Sequence, residues 1–220
     1  EEFHLSIGAE FPLFKDKLLT IPQGVFLEKG SQINRSDLEF TPRDFIFLLP
    51  SGLRPVKNIE LAIEALDMVH SEFKAVRLLI IGATIDLQYS RQIMDLIKVR
   101  DWITFLGELP HMHMGGILSL GDVVINTSQS EGQPQAALEA MSLGKPCILT
   151  AVSGNLNVIS QGVEGFYVYD QAGLVSAAKI LINDSARRAE MGVYARKLVE
   201  SRFNLEQELD AYSKVYGQMI

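Results

Sequence analysis

The sequence has a single cysteine, Cys147, in 220 residues. No internal disulfide is possible, and its place in the apolar run Pro146-Cys147-Ile148-Leu149 reads as a small core residue. One cysteine fits a reducing compartment, so a cytoplasmic protein is expected. No run approaches the ~18 continuous apolar residues that span a bilayer. There is no dense Lys/Arg run and the formal net charge is −7, which argues against nucleic acid or an anionic membrane as the main partner. Also missing are a Gly-x-Gly-x-x-Gly loop, a Walker loop and any Ser/His/Asp arrangement. His111-Met112-His113 does not complete a metal ligand set and reads as a polar loop before a short helix, so neither metal nor cofactor is expected. The chain opens on Glu1-Glu2, with no methionine and no signal-like apolar stretch, and is read as a piece of something longer. Asn-x-Ser/Thr triplets at Asn34, Asn126 and Asn183 carry no weight, since Asn126 ends an expected buried strand.

What is present is a core and a rhythm. Hydrophobic residues make up 47% and charged residues 21%, enough apolar surface for one large α/β domain or two small ones. Residues 1–17 show no clean period and read as a connecting segment, followed by a short strand at Lys17-Leu18-Leu19-Thr20-Ile21 and a polar loop over 28–43. Apolar strands then alternate with helices. Strands are predicted at 45–49, 76–81, 102–106, 122–126, 146–150 and 166–168. Helices are predicted at 59–73, 87–99, around 117–120, 134–144, 171–183, 185–202 and 205–219. This alternation means an α/β, doubly wound parallel sheet covered on both faces, for which six strands suit the order 3-2-1-4-5-6. Ligands of such sheets bind outside the carboxyl ends of the strands, at the point where the order reverses between the first strand and the fourth.

Two loops meet that point. The loop after the first strand is Pro50-Ser51-Gly52-Leu53-Arg54-Pro55-Val56-Lys57-Asn58. The loop after the fourth is Thr127-Ser128-Gln129-Ser130-Glu131-Gly132-Gln133, running into a helix opened by Pro134 and stopped near Gly144. A strand end, a glycine-containing loop and a helix N-terminus together offer free N–H groups to an anion or polar ligand. The helix is apolar on nearly every side except a stripe of Gln135, Glu139 and Ser142. That stripe faces either solvent or a cleft. Arg54 and Lys57 belong either to a solvated turn or to a phosphate site; a Glu-x7-Glu loop opposite favours the phosphate site.

Ser130-Glu131-Gly132-Gln133-Pro134-Gln135-Ala136-Ala137-Leu138-Glu139-Ala140-Met141-Ser142-Leu143-Gly144-Lys145-Pro146 resembles the signature of retaining GT-B glycosyltransferases, the group 1 or family 4 enzymes. Ile21-Pro22-Gln23-Gly24-Val25, Phe105-Leu106-Gly107 and Gly162-Val163-Glu164-Gly165-Phe166 resemble weaker parts of the same pattern, which covers roughly 18–220. The resemblance implies a C-terminal domain (18–220) that is half of a GT-B fold and binds a nucleotide-sugar donor as substrate. It implies that Arg54 and Lys57 neutralise the diphosphate and that Glu131 contacts the sugar hydroxyls, which makes these three the catalytic group. Ser51, Gly52 and Gly107 would stand on the nucleotide side, Gly132, Gln133, Pro134 and Gln135 at the sugar and phosphates, and Glu139 at the ribose. An N-terminal acceptor-binding domain is the implied missing partner. Two positions depart from the pattern: Gly52 stands where an arginine is usual, and Asn157 where a glutamate is common. The same architecture also serves sugar-nucleotide epimerases, phosphorylases and non-catalytic binding domains.

Overall fold

A computed structural model describes residue 7 and residues 9–27 and 33–217. Expectations for 1–6, 8, 28–32 and 218–219 therefore lie outside the described residues. The sheet has six strands: β1 Phe45–Pro50, β2 Val76–Ile81, β3 Ile103–Phe105, β4 Val123–Asn126, β5 Cys147–Thr150 and β6 Gly165–Val168. Every adjacent pair is parallel, in the order β3-β2-β1-β4-β5-β6. The helices are α1 Ile59–Glu72, α2 Leu87–Lys98, α3 His111–Ser119, α4 Gln135–Ser142, α5 Gln171–Asn183, α6 Ser185–Arg202 and α7 Leu205–Gly217.

Period-two alternation along β1 builds both faces of the sheet. Phe47 and Leu49 join a core with α1, α5 and Val76, Leu78 and Ile80 of β2. Ile46 and Leu48 point the other way, into a core with Leu138 and Met141 of α4 and Ala195 and Val199 of α6. A central strand buried on both sides reads as a continuous apolar run, which is why 45–49 is so legible.

Helix ends follow local chemistry. Asp86, Asp170 and Asp184 cap α2, α5 and α6 by accepting from the backbone N–H three residues on. At α1 the missing cap is replaced from outside, since Tyr89 of α2 accepts from the Ile59 N–H at 2.8 Å and donates to Glu60. Gly144 stops α4 at φ +77°, a left-handed turn that a β-carbon would strain.

Three expectations are corrected. Residues 17–21 form no strand: a 3₁₀ turn over Pro12–Lys17 precedes an irregular stretch, and Val25 makes only an isolated bridge to Asn204. The short helix expected near 117–120 begins at His111, directly after Pro110. Pro134 stands just outside α4 at φ −79°, one position earlier than its expected place in the first turn.

Candidate functional site

The strand order puts the carboxyl ends of β1 and β4 side by side, with Phe47 paired to Val123 and Leu48 to Val124. Beyond them the two loops are stitched together. The Gln129 N–H donates to the Val56 carbonyl at 2.8 Å, and the Thr127 hydroxyl donates to the Lys57 carbonyl at 2.9 Å. Across this seam Lys57 Nζ meets Glu131 Oε1 at 2.5 Å. The β1 loop holds its shape because Pro55 opens a 3₁₀ turn ending at Lys57, and Asn58 then turns into α1 at φ 45°.

Glu131 is the centre of a small polar network. Its Oε1 accepts from Lys57, from Asn126 Nδ2 at 2.9 Å and from Ser128 Oγ at 2.7 Å. Its side chain is only 10% exposed. Burial pushes its pKa up, but the hydrogen bonds from Lys57, Ser128 and Asn126 and the Lys57 charge hold it below the ordinary value. Among the described residues, the backbone N–H groups of Glu131, Gly132 and Gln133 meet no protein acceptor. A β-carbon on Gly132 would meet nothing within 4 Å, so the loop borders open space there.

Behind Glu131 the chain is tightly apposed. A β-carbon on Gly154 would lie 2.0 Å from the Glu131 carbonyl oxygen. Gly154→Ala should therefore push the 131 loop outward and cost roughly 2 kcal/mol or more, as overpacking against backbone does. Denaturant unfolding checks this; a cost under a few tenths would mean that the two loops part freely.

Glu139 sits on α4 and is buried, while Gln135 and Ser142 of the same stripe are half-buried. His111 Nε2 from the first turn of α3 lies 3.3 Å from Glu139 Oε1. Burial raises the pKa of Glu139, with the His111 contact opposing. His111 is thus brought to the site by the first turn of a helix, where a polar loop is expected from the sequence. Among the described residues, no group of three His, Cys, Asp or Glu is arranged to hold a metal.

The remaining predicted residues fall into place unevenly. Arg54 is exposed and caps the turn that ends at Lys57; its side chain makes no hydrogen bond or ion pair among the described residues. Gly52 lies under Ile85, whose Cδ1 would be 2.5 Å from a β-carbon there. That isoleucine is exposed and its end is free to swing, so a side chain at 52 would displace Ile85 rather than the backbone. The Ser51 N–H donates to Ile81, which sets this loop beside the end of β2. Gly107 ends β3 at φ +72° and also borders open space. Gln133 and Gln135 turn their side chains away from the loop. Gln133 pairs with both backbone groups of Gln23, at 3.1 and 2.8 Å, and Gln135 Nε2 donates to the Gly24 carbonyl at 2.8 Å. The Gln135 N–H donates to the Gln133 carbonyl at 2.8 Å, whereas the Gln133 N–H meets no acceptor among the described residues. Asn157 adopts φ +68°, and its carbonyl accepts from Arg202 at 3.1 Å.

A two-loop crevice at a switch point is shared by many α/β proteins, so fold alone does not fix the family. The family model described as glycosyl transferases group 1 matches residues 31–198. The chain belongs to that family. Its relatives within it include the N-acetyl-alpha-D-glucosaminyl L-malate synthase of Bacillus anthracis, 26% identical over 202 residues, which are 91% of this chain and 52% of that protein. The UDP-Gal:alpha-D-GlcNAc-diphosphoundecaprenol alpha-1,3-galactosyltransferase of Escherichia coli is 28% identical over 218 residues, 93% of this chain and 55% of the enzyme. Among solved structures, the sucrose-phosphate synthase from Thermosynechococcus elongatus has the same fold with a TM-score of 0.81 at 23% identity, covering 94% of this chain and 56% of that one. Anabaena HepE, solved with UDP and glucose, gives a TM-score of 0.77 at 21% identity, covering 83% and 50%. The chain thus spans about half the length of these group 1 relatives. No helix among its described residues is long and apolar enough to cross a membrane.

Proposed function

We propose that this chain is the C-terminal, donor-binding half of a retaining glycosyltransferase of GT-B architecture. Residues 18–220 are the donor domain, and 1–17 lead toward an N-terminal acceptor-binding domain. The observation that carries this reading is the Lys57–Glu131 pair, which joins the two loops of the switch point beside three N–H groups without protein acceptors. The complex of a fold relative with UDP and glucose suits a site of this chemistry.

The roles follow from charge. As the glycosidic bond to the diphosphate breaks, negative charge builds on the leaving phosphate. Lys57 and the unpaired Arg54 stabilise that charge, and the N–H groups of Gly132 and Gln133 add to it, so side chains supply what a metal would otherwise supply. Glu131, kept ionised, accepts from sugar hydroxyls. Glu139 accepts from the two ribose hydroxyls. Ser51, Gly52 and Gly107 border the nucleotide, and Pro134 fixes the entry into α4. The acceptor, held by the missing half, attacks through its hydroxyl on the face the diphosphate leaves and gives its proton to the departing phosphate oxygen. A single buried cysteine suits the reducing cytoplasm.

Calorimetry of the chain with UDP-, GDP- and ADP-sugars tests the reading. One of the three should bind, with no sugar transferred until the N-terminal half is restored. Failure of all three to bind would remove the donor-domain assignment. Robust transfer by the 220 residues alone would remove the claim that it is half an enzyme.

A further inference from the structure

Glu131 is held from below by a second set of side chains to which nothing so far gives a role. Asn126, at the end of β4, donates through Nδ2 to Glu131 Oε1. It can do so only in one orientation of its amide. Asn126 Oδ1 accepts from the Ser128 N–H at 3.1 Å and from Asn155 Nδ2 at 3.3 Å, so both donors fix the oxygen on the side away from Glu131. Asn155 is itself locked. It is fully buried, and its Nδ2 also donates to the Thr150 carbonyl at 2.9 Å. Its Oδ1 is buried with no partner. Turning the amide over would set that oxygen against the Thr150 carbonyl, so the unmet acceptor persists. The Thr150 hydroxyl is committed elsewhere, donating to the Ser128 carbonyl at 2.6 Å. A buried amide with one unmet acceptor is unusual unless the surroundings gain from its orientation.

We propose that Asn155 and Asn126 form a positioning relay for Glu131: Asn155 sets the Asn126 amide, and Asn126 turns Glu131 so that Oε1 is satisfied within the protein and Oε2 is the oxygen left to accept from a ligand hydroxyl. Both are positioning residues, not catalytic ones. The proposal rests on the reading of Glu131 as the sugar-hydroxyl acceptor. Ser128 joins the relay from the side, through its N–H to Asn126 and its hydroxyl to Glu131. The charged group bonded to Glu131 is Lys57.

Two measurements on the ligand-free and ligand-bound chain separate the relay from the function it serves. The first is the titration midpoint of the Glu131 carboxyl, read by carbon NMR and assigned with Glu131→Gln. Asn126→Asp keeps the size but replaces a donor by an acceptor, and should raise that midpoint by about one pH unit. Asn155→Ser frees the Asn126 amide and should raise it by a smaller amount. The second is the ratio of affinities for the nucleotide-sugar that binds, among UDP-, GDP- and ADP-glucose, and for its bare nucleotide. It should fall about tenfold in both variants while the affinity for the bare nucleotide stays unchanged, a split that general loss of stability would not produce. An unmoved Glu131 midpoint in a folded Asn126→Asp chain overturns the relay. If that variant does not fold, an unmoved midpoint in Asn155→Ser does the same. Wild-type chain that binds none of the UDP-, GDP- or ADP-sugars better than the bare nucleotide would instead sink the sugar role of Glu131, leaving the titration to judge the relay on its own.

Discussion

Lys57→Ala is expected to lower transfer by the enzyme restored to full length by roughly 10²- to 10³-fold, the loss seen when one preorganised charge-stabilising group is removed. It should weaken nucleotide-diphosphate binding by the chain as well. The same substitution should destabilise the chain by about 2–3 kcal/mol, because it leaves Glu131 with its charge mostly buried and its strongest partner gone. These two losses have different origins and can be parted. Lys57→Met together with Glu131→Gln removes both charges and keeps the volume, so stability should recover most of what Lys57→Ala loses. Activity should not recover. A double variant as unstable as the single one would show that the ion pair does not hold the seam.

The pair also sets an acid limit. Glu131 is held below its ordinary pKa in the folded chain, so the unfolded chain takes up its proton first as pH falls. The contribution to stability is present above the unfolded value, near 4.5, and is lost as pH falls through the folded one. Unfolding curves of wild type and Glu131→Gln should therefore converge in acid and separate toward neutrality.

The strands and their order are open to sequence reading because a parallel sheet buried on both faces needs near-continuous apolar runs, and Phe45–Pro50, Val76–Ile81 (broken only by Arg77) and Cys147–Thr150 supply them. The facing of the two loops followed from that order. The stretch 17–21 misled because apolar residues at strand spacing say nothing about whether an edge is there to pair with. His111 was missed because its partner, Glu139, is 28 residues away and on another helix. Pro110, at the helix entrance, was the local signal available. Asn126, Ser128, Thr150 and Asn155 left no pattern at all: each is one polar residue at a strand end or in a loop, and they meet only when β4 and β5 lie side by side. The side chains of Gln133 and Gln135 carry a further contact that no local pattern announced. They tie the loop to Gln23 and Gly24, more than a hundred residues earlier in the chain, and leave the Gln133 backbone N–H without a protein acceptor among the described residues.

Glu139→Gln should raise stability and lower nucleotide affinity in the same molecule. In the folded chain burial raises the Glu139 pKa above its unfolded value near 4.5. Between those two values the folded chain holds a proton that the unfolded chain has released, so stability falls as pH rises through that window and stays lower above it. At neutral pH the ionised carboxylate is therefore a standing cost, offset in part by His111. The amide has no charge to desolvate and can still accept from His111, so Glu139→Gln should gain on the order of 1 kcal/mol at pH 7 and nothing below the window. Binding should move the other way. A carboxylate accepts from both hydroxyls of a ribose, whereas an amide offers one acceptor and a donor. Losing a charge-assisted hydrogen bond of about 1.5–3 kcal/mol corresponds to a drop in affinity of roughly 10- to 100-fold for UDP or whichever nucleotide binds. Thermal unfolding across pH and calorimetry on the same samples measure both. A buried carboxylate kept at a cost to the fold is what a ligand site requires, and a variant that became more stable while binding as before would show that Glu139 serves something other than the nucleotide.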